Sequence, residues 1–384
     1  MNTDEIISKL QKIKPYLQQE YVVKTAGLFG SCPSAMNNSF RSREFFVAAV
    51  IFLILSTNAL LSAQSLSQSR QTREDPLRQM MFADSTRNGR PYAKDPHVIF
   101  FQQHYLMYYS IPPFGDSSNP VKGWGIGVAR SKNLIDWERV GEIIPSQACD
   151  AKGLCAPCAI VIDGKVHLFY QTYGNREKDA ICHATSTDGV SFDKNPSNPV
   201  FSPSGAWTCG RAIDAEVICL DGQCFMYYAT RDPEFRIQML GVAVAGADFS
   251  AGQWTNLSTE HPVLAPELSW EEDCIEGASL IRRNGKLYMF YAGAYNNRPQ
   301  QIGVAVSDEG IRWTRLSDTP FLRNGAKGEW NHSESGHPHI FEAPDGRTFL
   351  FFQGNNDKGN TWYISNVEIF WSDKGPYMRH NNVK

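Results

Sequence analysis

Three carboxylic acids and one histidine stand at matching places in a phrase that the chain repeats. Lys94-Asp95-Pro96-His97-Val98-Ile99 runs to the aromatic stretch Tyr105-Leu106-Met107-Tyr108-Tyr109. Ala212-Ile213-Asp214-Ala215-Glu216-Val217 runs through an Asp221-Gly222 turn to Phe225-Met226-Tyr227-Tyr228. Ile275-Glu276-Gly277-Ala278-Ser279-Leu280 passes Asn284-Gly285 to reach Leu287-Tyr288-Met289-Phe290-Tyr291, and Gly336-His337-Pro338-His339-Ile340 passes Asp345-Gly346 to reach Thr348-Phe349-Leu350-Phe351-Phe352. A fifth copy, Ala156-Pro157-Cys158-Ala159-Ile160-Val161, has alanine at that place and leads through Asp163-Gly164 to His167-Leu168-Phe169-Tyr170. Counted back from the aromatic strands, Asp95, Ala156 and Asp214 fall thirteen residues ahead, Glu276 and His337 fourteen.

Three carboxyls gathered at an apolar-walled mouth repel one another, so they cannot all ionise at their ordinary pKa. One then stays protonated and can donate to a leaving oxygen while another stays ionised and activates water, which is the division of labour that glycoside hydrolysis needs. Strand heads also carry Asp and Glu as plain turn residues. Three in register on one channel favour the catalytic reading.

The elements that must bring them together are strands. Asp-Gly or Asn-Gly between apolar runs is the signal of a tight hairpin. Third strands follow at Ile126-Gly127-Val128-Ala129, Ile181-Cys182-His183-Ala184, Leu240-Gly241-Val242-Ala243 and Ile302-Gly303-Val304-Ala305, and the aromatics Trp137, Phe192, Trp254 and Trp313 then recur every 55 to 62 residues. A fixed period of short strands is the mark of an all-β propeller, one repeat per blade. One small sheet cannot hide both its faces, whereas blades stacked around an axis bury each against a neighbour. Five units fit between residues 80 and 375, with 376–384 as a tail. First strands line the channel of a propeller, so Asp95, Asp214, Glu276 and His337 are expected at one mouth of the axis.

The chain has 384 residues, 42% hydrophobic and 20% charged, enough for a large core; a net charge of −3 and no Lys/Arg-rich run argue against nucleic acid. Residues 45–61, FFVAAVIFLILSTNALL, follow Arg41 and Arg43 and precede Ser62-Ala63-Gln64. This describes a secretory signal over residues 36–63, cleaved near Ala63, rather than a membrane anchor, and places the protein outside the cytoplasm, secreted or periplasmic. Residues 64–79 read as a polar linker, and Met36 as the natural start. Eight of nine cysteines lie in the exported part, Cys219 and Cys224 facing each other across the Asp221-Gly222 turn as the first candidate disulfide. Cys155-x-x-Cys158 lacks a second ligand pair nearby and is a weak zinc signal.

In its order of marks the chain from about residue 80 to 371 resembles glycoside hydrolase family 43 and its relatives, five-bladed propeller enzymes acting on plant and algal polysaccharides. The marks are Asp95-Pro96, Ile213-Asp214, Glu276-Gly277 and Gly336-His337. The resemblance implies Asp95 as general base, Glu276 as general acid and Asp214 as the residue that raises and orients the acid. It implies inversion, with the two carboxyls about 6.5 to 9.5 Å apart. His337 falls where the family often has a histidine near an axial metal or water, so a calcium or sodium ion there is allowed; no organic cofactor is implied. Ala215 and Ala278 depart from the usual proline. Residues 1–35 do not belong before a signal; residues 6–31, ending Gly27-Leu28-Phe29-Gly30-Ser31, resemble the truncated start of a minimal nucleotidyltransferase and are read as an upstream fragment without activity.

Further substrate-binding candidates are Arg211, which could pair with an acid or a sugar hydroxyl, and the loop tryptophans Trp207 and Trp330, with Trp124 and Trp270 beside them. His332 and Glu334, in the polar run before His337, are alternative proton donors of the kind propeller relatives use on agar-type sugars. The expected partner is an oligosaccharide or polysaccharide, with no membrane after leader removal; the oligomeric state is not legible. The reading is hydrolysis of a terminal glycosidic bond, of an arabinofuranoside or xyloside. Its rivals are the agar-type glycosidase, a carbohydrate-binding propeller without catalysis and, last because no Lys/Arg cluster points to a phosphate site, a glycoside phosphorylase.

Overall fold

The computed structural model describes residues 79–246 and 254–379. The upstream fragment, the leader, the linker up to residue 78 and the last five residues lie outside them. Strands dominate, in five four-stranded sheets whose strands follow chain order. The inner strands are Lys94–Phe101, Leu154–Ile162, Ile213–Leu220, Ile275–Arg283 and Glu334–Glu342; each packs against the next, and the fifth against the first. This is the five-bladed propeller that the repeat predicts.

Burial on both faces explains the sequence of the second strands. Neighbouring residues in a strand point to opposite faces, yet Tyr108 and Tyr109 are both fully buried. Tyr108 enters a core shared with blade two, Tyr109 one shared with blade five. Five such cores fill the five joints between blades. The recurring loop aromatics, joined by Trp371 from the third strand of blade five, pin these joints edge-on. Phe192 meets Tyr108 at 5.7 Å between ring centres, Trp254 meets Phe169 at 5.7 Å, Trp313 meets Tyr227 at 5.8 Å, Trp371 meets Tyr288 at 5.0 Å and Trp137 meets Phe351 at 6.3 Å. The Ser-x-x-Gly loop ends are turn chemistry, as Ser186 and Ser307 accept the N–H of Gly189 and Gly310 at 2.8 Å.

Two devices close the ring. The segment before blade one clasps the third strand of blade five, Phe82 and Ile364 exchanging backbone hydrogen bonds of 2.9 and 2.8 Å. Around the axis, each inner strand contributes one side chain that bonds the backbone of the next blade. His97 meets the Ala159 carbonyl at 2.9 Å, Cys158 accepts from Val217 N–H at 3.2 Å, and Glu216 accepts from Leu280 N–H at 2.9 Å. Ser279 accepts from Ile340 N–H at 3.1 Å, and His339 meets the Val98 carbonyl at 3.0 Å. Cys219 and Cys224 are joined across their turn as expected, their Cα atoms 4.0 Å apart.

An aromatic that pins a blade joint should be felt as a core residue. Trp313→Ala is expected to lower the unfolding free energy by about 3 kcal/mol, read by urea denaturation; a loss below about 1 kcal/mol would show that the ring only decorates the joint.

Candidate active site

Every inner strand breaks its pairing near its start. Asp95, Ala156, Asp214 and His337 take positive φ values of 52°, 48°, 50° and 42°, and in blade four the matching residue is Gly277 at 56°. The position opposes a Cβ and costs a non-glycine residue on the order of 1–3 kcal/mol. Glu276 therefore stands one place before the position of Asp95, which accounts for its count of fourteen. His337 is in register with Asp95, and its extra residue belongs to the longer turn around Asp345. The amides freed by the bulge are taken up by the preceding blade: Asp95 N–H donates to Gln353 Oε1 at 2.9 Å, Ala156 N–H to Ser110 Oγ at 2.8 Å, and Asp214 N–H to Gln171 Oε1 at 2.7 Å.

Asp95, Asp214, Glu276, His337 and Arg211 line one hollow of about 460 Å³, a size suited to a small ligand. Its walls are largely polar, not apolar as the sequence reading supposed. Burial works to raise the Asp95 pKa, but neighbouring Lys94, His337 and the Ser110 hydroxyl outweigh it and hold Asp95 below the usual range. His337 Nδ1 lies 3.3 Å from Asp95 Oδ1. Asp214 moves the other way, pushed well up by burial and then by repulsion from Glu276 and Asp95, against the pull of Arg211 and Lys94. Glu276 is held at both oxygens by amides, Gln300 Nε2 donating to Oε1 at 2.7 Å and Gln238 Nε2 to Oε2.

Other sequence candidates fall elsewhere. Glu334 is fully buried behind the wall and does not line the hollow. It accepts from Gln353 Nε2 at 2.8 Å, Asn297 N–H at 2.5 Å and Asn296 Nδ2 at 3.2 Å. Through these it orients three groups of the site, for Gln353 bonds Asp95, Asn296 accepts from Lys94 Nζ at 2.7 Å, and Asn296 also bonds Gln300. His332 is bonded to the Gly325 carbonyl at 3.1 Å in an exposed loop. Trp207 donates to the Ser258 carbonyl at 2.8 Å, Trp330 packs on Phe352 and Trp270 on Tyr291. These tryptophans serve the blades. Trp124 does line the hollow.

Apart from Arg211, sequence reasoning missed the cations, and it missed most of the aromatic wall. Lys94, Arg211, Arg231 and Lys358 all face the hollow, with Trp362, Tyr92, Tyr173 and Tyr295. Arg211 Nη1 and Arg231 Nε both donate to Gln238 Oε1, at 3.3 and 3.1 Å. The four cations sit on three different blades, so no run of basic residues announces them; only Arg211, three residues before Asp214, and Lys94, beside Asp95, were open to inspection. At His337, Asp95 is the one carboxylate in ion-pair reach among the described residues, far from the six or more oxygens that calcium takes. His337 and Asp95 alone do not make up a calcium site, and no step is routed through such an ion.

Carboxyls pushed apart in proton affinity within one hollow suit acid–base cleavage of a sugar acetal, and on a five-bladed propeller they define a glycosidase. The sequence places the protein further: the model described as glycosyl hydrolases family 43 matches residues 90–370, and the chain belongs to that family. A thermostable family-43 glycoside hydrolase of solved structure superposes with a TM-score of 0.62 at 21% identity, over 77% of this chain and 96% of its own. An α-L-arabinofuranosidase from Lactobacillus brevis does so with a TM-score of 0.57 at 16% identity, over 74% and 93%. Among curated proteins, a 1,2-β-oligomannan phosphorylase of Thermoanaerobacter sp. (strain X514) is 27% identical over 221 residues, 56% of this chain and 67% of its own. Sucrose-6-phosphate hydrolase of Bacillus subtilis (strain 168) is 28% identical over 177 residues, 41% of this chain but only 35% of its own.

Burial raises the Glu334 pKa from 4.5 to about 8. A carboxyl whose folded pKa is raised stabilises the fold while protonated and loses that contribution as pH climbs between the two values. Thermal unfolding midpoints of wild type should thus fall, relative to those of Glu334→Gln, as pH rises from 4.5 to 8. Parallel curves would mean that Glu334 is already ionised in the fold.

Proposed function

We propose that the protein is an exported hydrolase that removes a terminal sugar from plant or algal polysaccharide fragments, an arabinofuranoside or xyloside, with inversion. The observation that carries the reading is the opposed shift of Asp95 and Asp214 on the walls of one hollow. Asp95, kept ionised by Lys94 and His337, takes the proton of the attacking water. Asp214, its pKa pushed well up by burial and by the neighbouring Glu276 and Asp95, holds a proton beside Glu276, and from there it is delivered to the leaving oxygen. Glu276, gripped by the amides of Gln238 and Gln300, relays it as the donor to substrate. Trp124, Trp362 and the tyrosines offer faces for the sugar ring. Export is supported by the apolar stretch at residues 45–61 and by the Cys219–Cys224 pair. No organic cofactor enters this chemistry.

Phosphorolysis is the second reading, and the cations favour it. Two guanidiniums converge on one neutral amide oxygen beside Glu276, and Lys358 faces the same space without a carboxylate in ion-pair reach among the described residues. Phosphate would then replace water as nucleophile, the activity named for the oligomannan relative. The agar-type reading loses its proposed donors, since Glu334 is behind the wall and His332 is bound in an exposed loop.

The test is turnover of nitrophenyl glycosides and plant, algal and mannan oligosaccharides, with and without phosphate, the product anomer followed by NMR. Activity should follow a bell in pH, rising as Asp95 ionises below the ordinary carboxylate range and falling as the proton on Asp214 is lost above it. Asp95→Asn should cut kcat by about 10²- to 10⁴-fold on every substrate. Glu276→Gln should do so on natural sugars yet recover much of the rate on aryl glycosides with acidic leaving groups. Tight sugar binding with no turnover on any substrate would refute catalysis, and cleavage only with phosphate would replace hydrolysis by the second reading.

A further inference from the structure

The girdle of side chains two residues below the heads leaves donor atoms over. His97, Cys158, Glu216, Ser279 and His339 are all buried, and each uses one atom on the next blade's backbone. The remaining atoms face one another. His97 Nδ1 lies 3.7 Å from Glu216 Oε2, and one ligand atom from each of His97, Cys158 and Glu216 falls within 4.8 Å of the others. The rings of His97 and His339 are 3.8 Å apart at their centres.

The protons available do not match these atoms. A carbonyl only accepts, so the contacts to Ala159 and Val98 fix a hydrogen on Nε2 of each imidazole and leave a lone pair on Nδ1. Ser279 has one hydroxyl proton to give, its Oγ lying 3.0 Å from Glu216 Oε1 and 3.4 Å from His339 Nδ1. Leu280 N–H also goes to Glu216 Oε1, and Val217 N–H to the Cys158 sulfur. The Cys158 thiol hydrogen-bonds Glu216; among the described residues no donor lies within hydrogen-bond reach of His97 Nδ1, which faces Glu216 Oε2 at 3.7 Å. A histidine whose far N–H is locked by a carbonyl, with its near lone pair turned to a thiol and a carboxylate, has the surroundings of a metal ligand. Nitrogen, sulfur and a single carboxylate suit zinc or a similar borderline-soft divalent ion, not the oxygen-seeking calcium or magnesium.

We propose that His97 Nδ1, Cys158 Sγ and Glu216 bind one zinc-class ion in the propeller axis, with His339 beside the remaining coordination position. The Cys158 thiol proton leaves to solvent as the thiolate binds. The ion would cross-link blades one, two and three directly beneath Asp95 and Asp214, each two residues from a ligand, and it is separate from His337 in the hollow above. The ligands stand one blade apart in sequence, so no short spacing betrays them; the apparent Cys155-x-x-Cys158 pair is split, with Cys155 on the wall of the hollow.

The experiment loads the full chain with Zn²⁺ or Co²⁺, removes free metal by dialysis, and measures bound metal by mass spectrometry, the visible and near-ultraviolet spectrum, and the thermal midpoint. Wild type should retain about one equivalent, show thiolate-to-cobalt charge transfer and melt higher with zinc than after chelation. Cys158→Ser should lose the charge-transfer band and most of the metal, Glu216→Gln most of the metal, and His337→Ala neither. Folded wild type holding less than about a tenth of an equivalent would overturn the proposal, and so would a band that survives in Cys158→Ser or vanishes in His337→Ala. The wild-type spectrum decides the matter even if a ligand variant fails to fold.

Discussion

Around the axis, one side chain per blade reaches the backbone of the residue one step further along in the next blade, from His97 to Ala159 and so on round to His339 and Val98. The partners differ chemically: the imidazoles give a proton to a carbonyl, while the thiol, carboxylate and hydroxyl take one from an N–H. The geometry is common to all five. A propeller axis is where five strand edges approach without pairing, and buried backbone groups left unpaired there would each cost about 1–3 kcal/mol. The girdle removes that cost and fixes how deep each inner strand sits, and hence where its head emerges.

The heads inherit the constraint. Ala156 has no acid or base to offer, yet it holds the same positive φ as Asp95 and Asp214 and hands its N–H to the preceding blade in the same way. The strained turn therefore belongs to the architecture, and chemistry was placed on it where the residue type allowed. Blade four shows the alternative. There glycine takes the left-handed position and the acid moves one residue upstream, where Gln238 from blade three and Gln300 from its own blade grip it at both oxygens. Asp95 and Asp214 are positioned by backbone, Glu276 by side chains, and this difference leaves Glu276 the most readily reoriented of the three.

Legibility in the sequence followed the same divide. The hairpin turns, the doubled aromatics of the second strands and the loop tryptophans are local or periodic signals, so the five blades and the meeting of Asp95, Asp214, Glu276 and His337 could be read directly. Counting residues could not distinguish an acid at the bulge from one beside it, because a longer turn in blade five and a shifted acid in blade four both add one to the count. Trp207 and Trp330 have the composition of a sugar platform, but a tryptophan near a strand head is equally able to seal a blade. Arg231 and Trp362 reached the hollow from segments with no motif at all. Glu334 was legible as unusual, though only coordinates reveal that it acts on the site from behind.

The charges around the hollow explain why so crowded an acidic site is tolerated. Asp95, Asp214 and Glu276 face Lys94, Arg211, Arg231 and Lys358, and the cations are not spread evenly. Lys94 sits against Asp95 and lowers its pKa, whereas both arginines spend their nearest donors on Gln238 and reach Glu276 only through that amide. Asp214, approached by neither at salt-bridge distance among the described residues, is pushed well up by burial and then by the repulsion of its two neighbours, and takes the proton. A neutral amide between guanidinium and carboxylate keeps the positive field close without neutralising the acid outright. An oxyanion arriving as nucleophile or as part of the substrate would meet two guanidiniums with donors to spare, and a neutral sugar would meet the same groups as hydroxyl ligands. The one arrangement thus keeps positive charge and hydrogen-bond donors at the wall of the hollow without pairing them directly to Glu276.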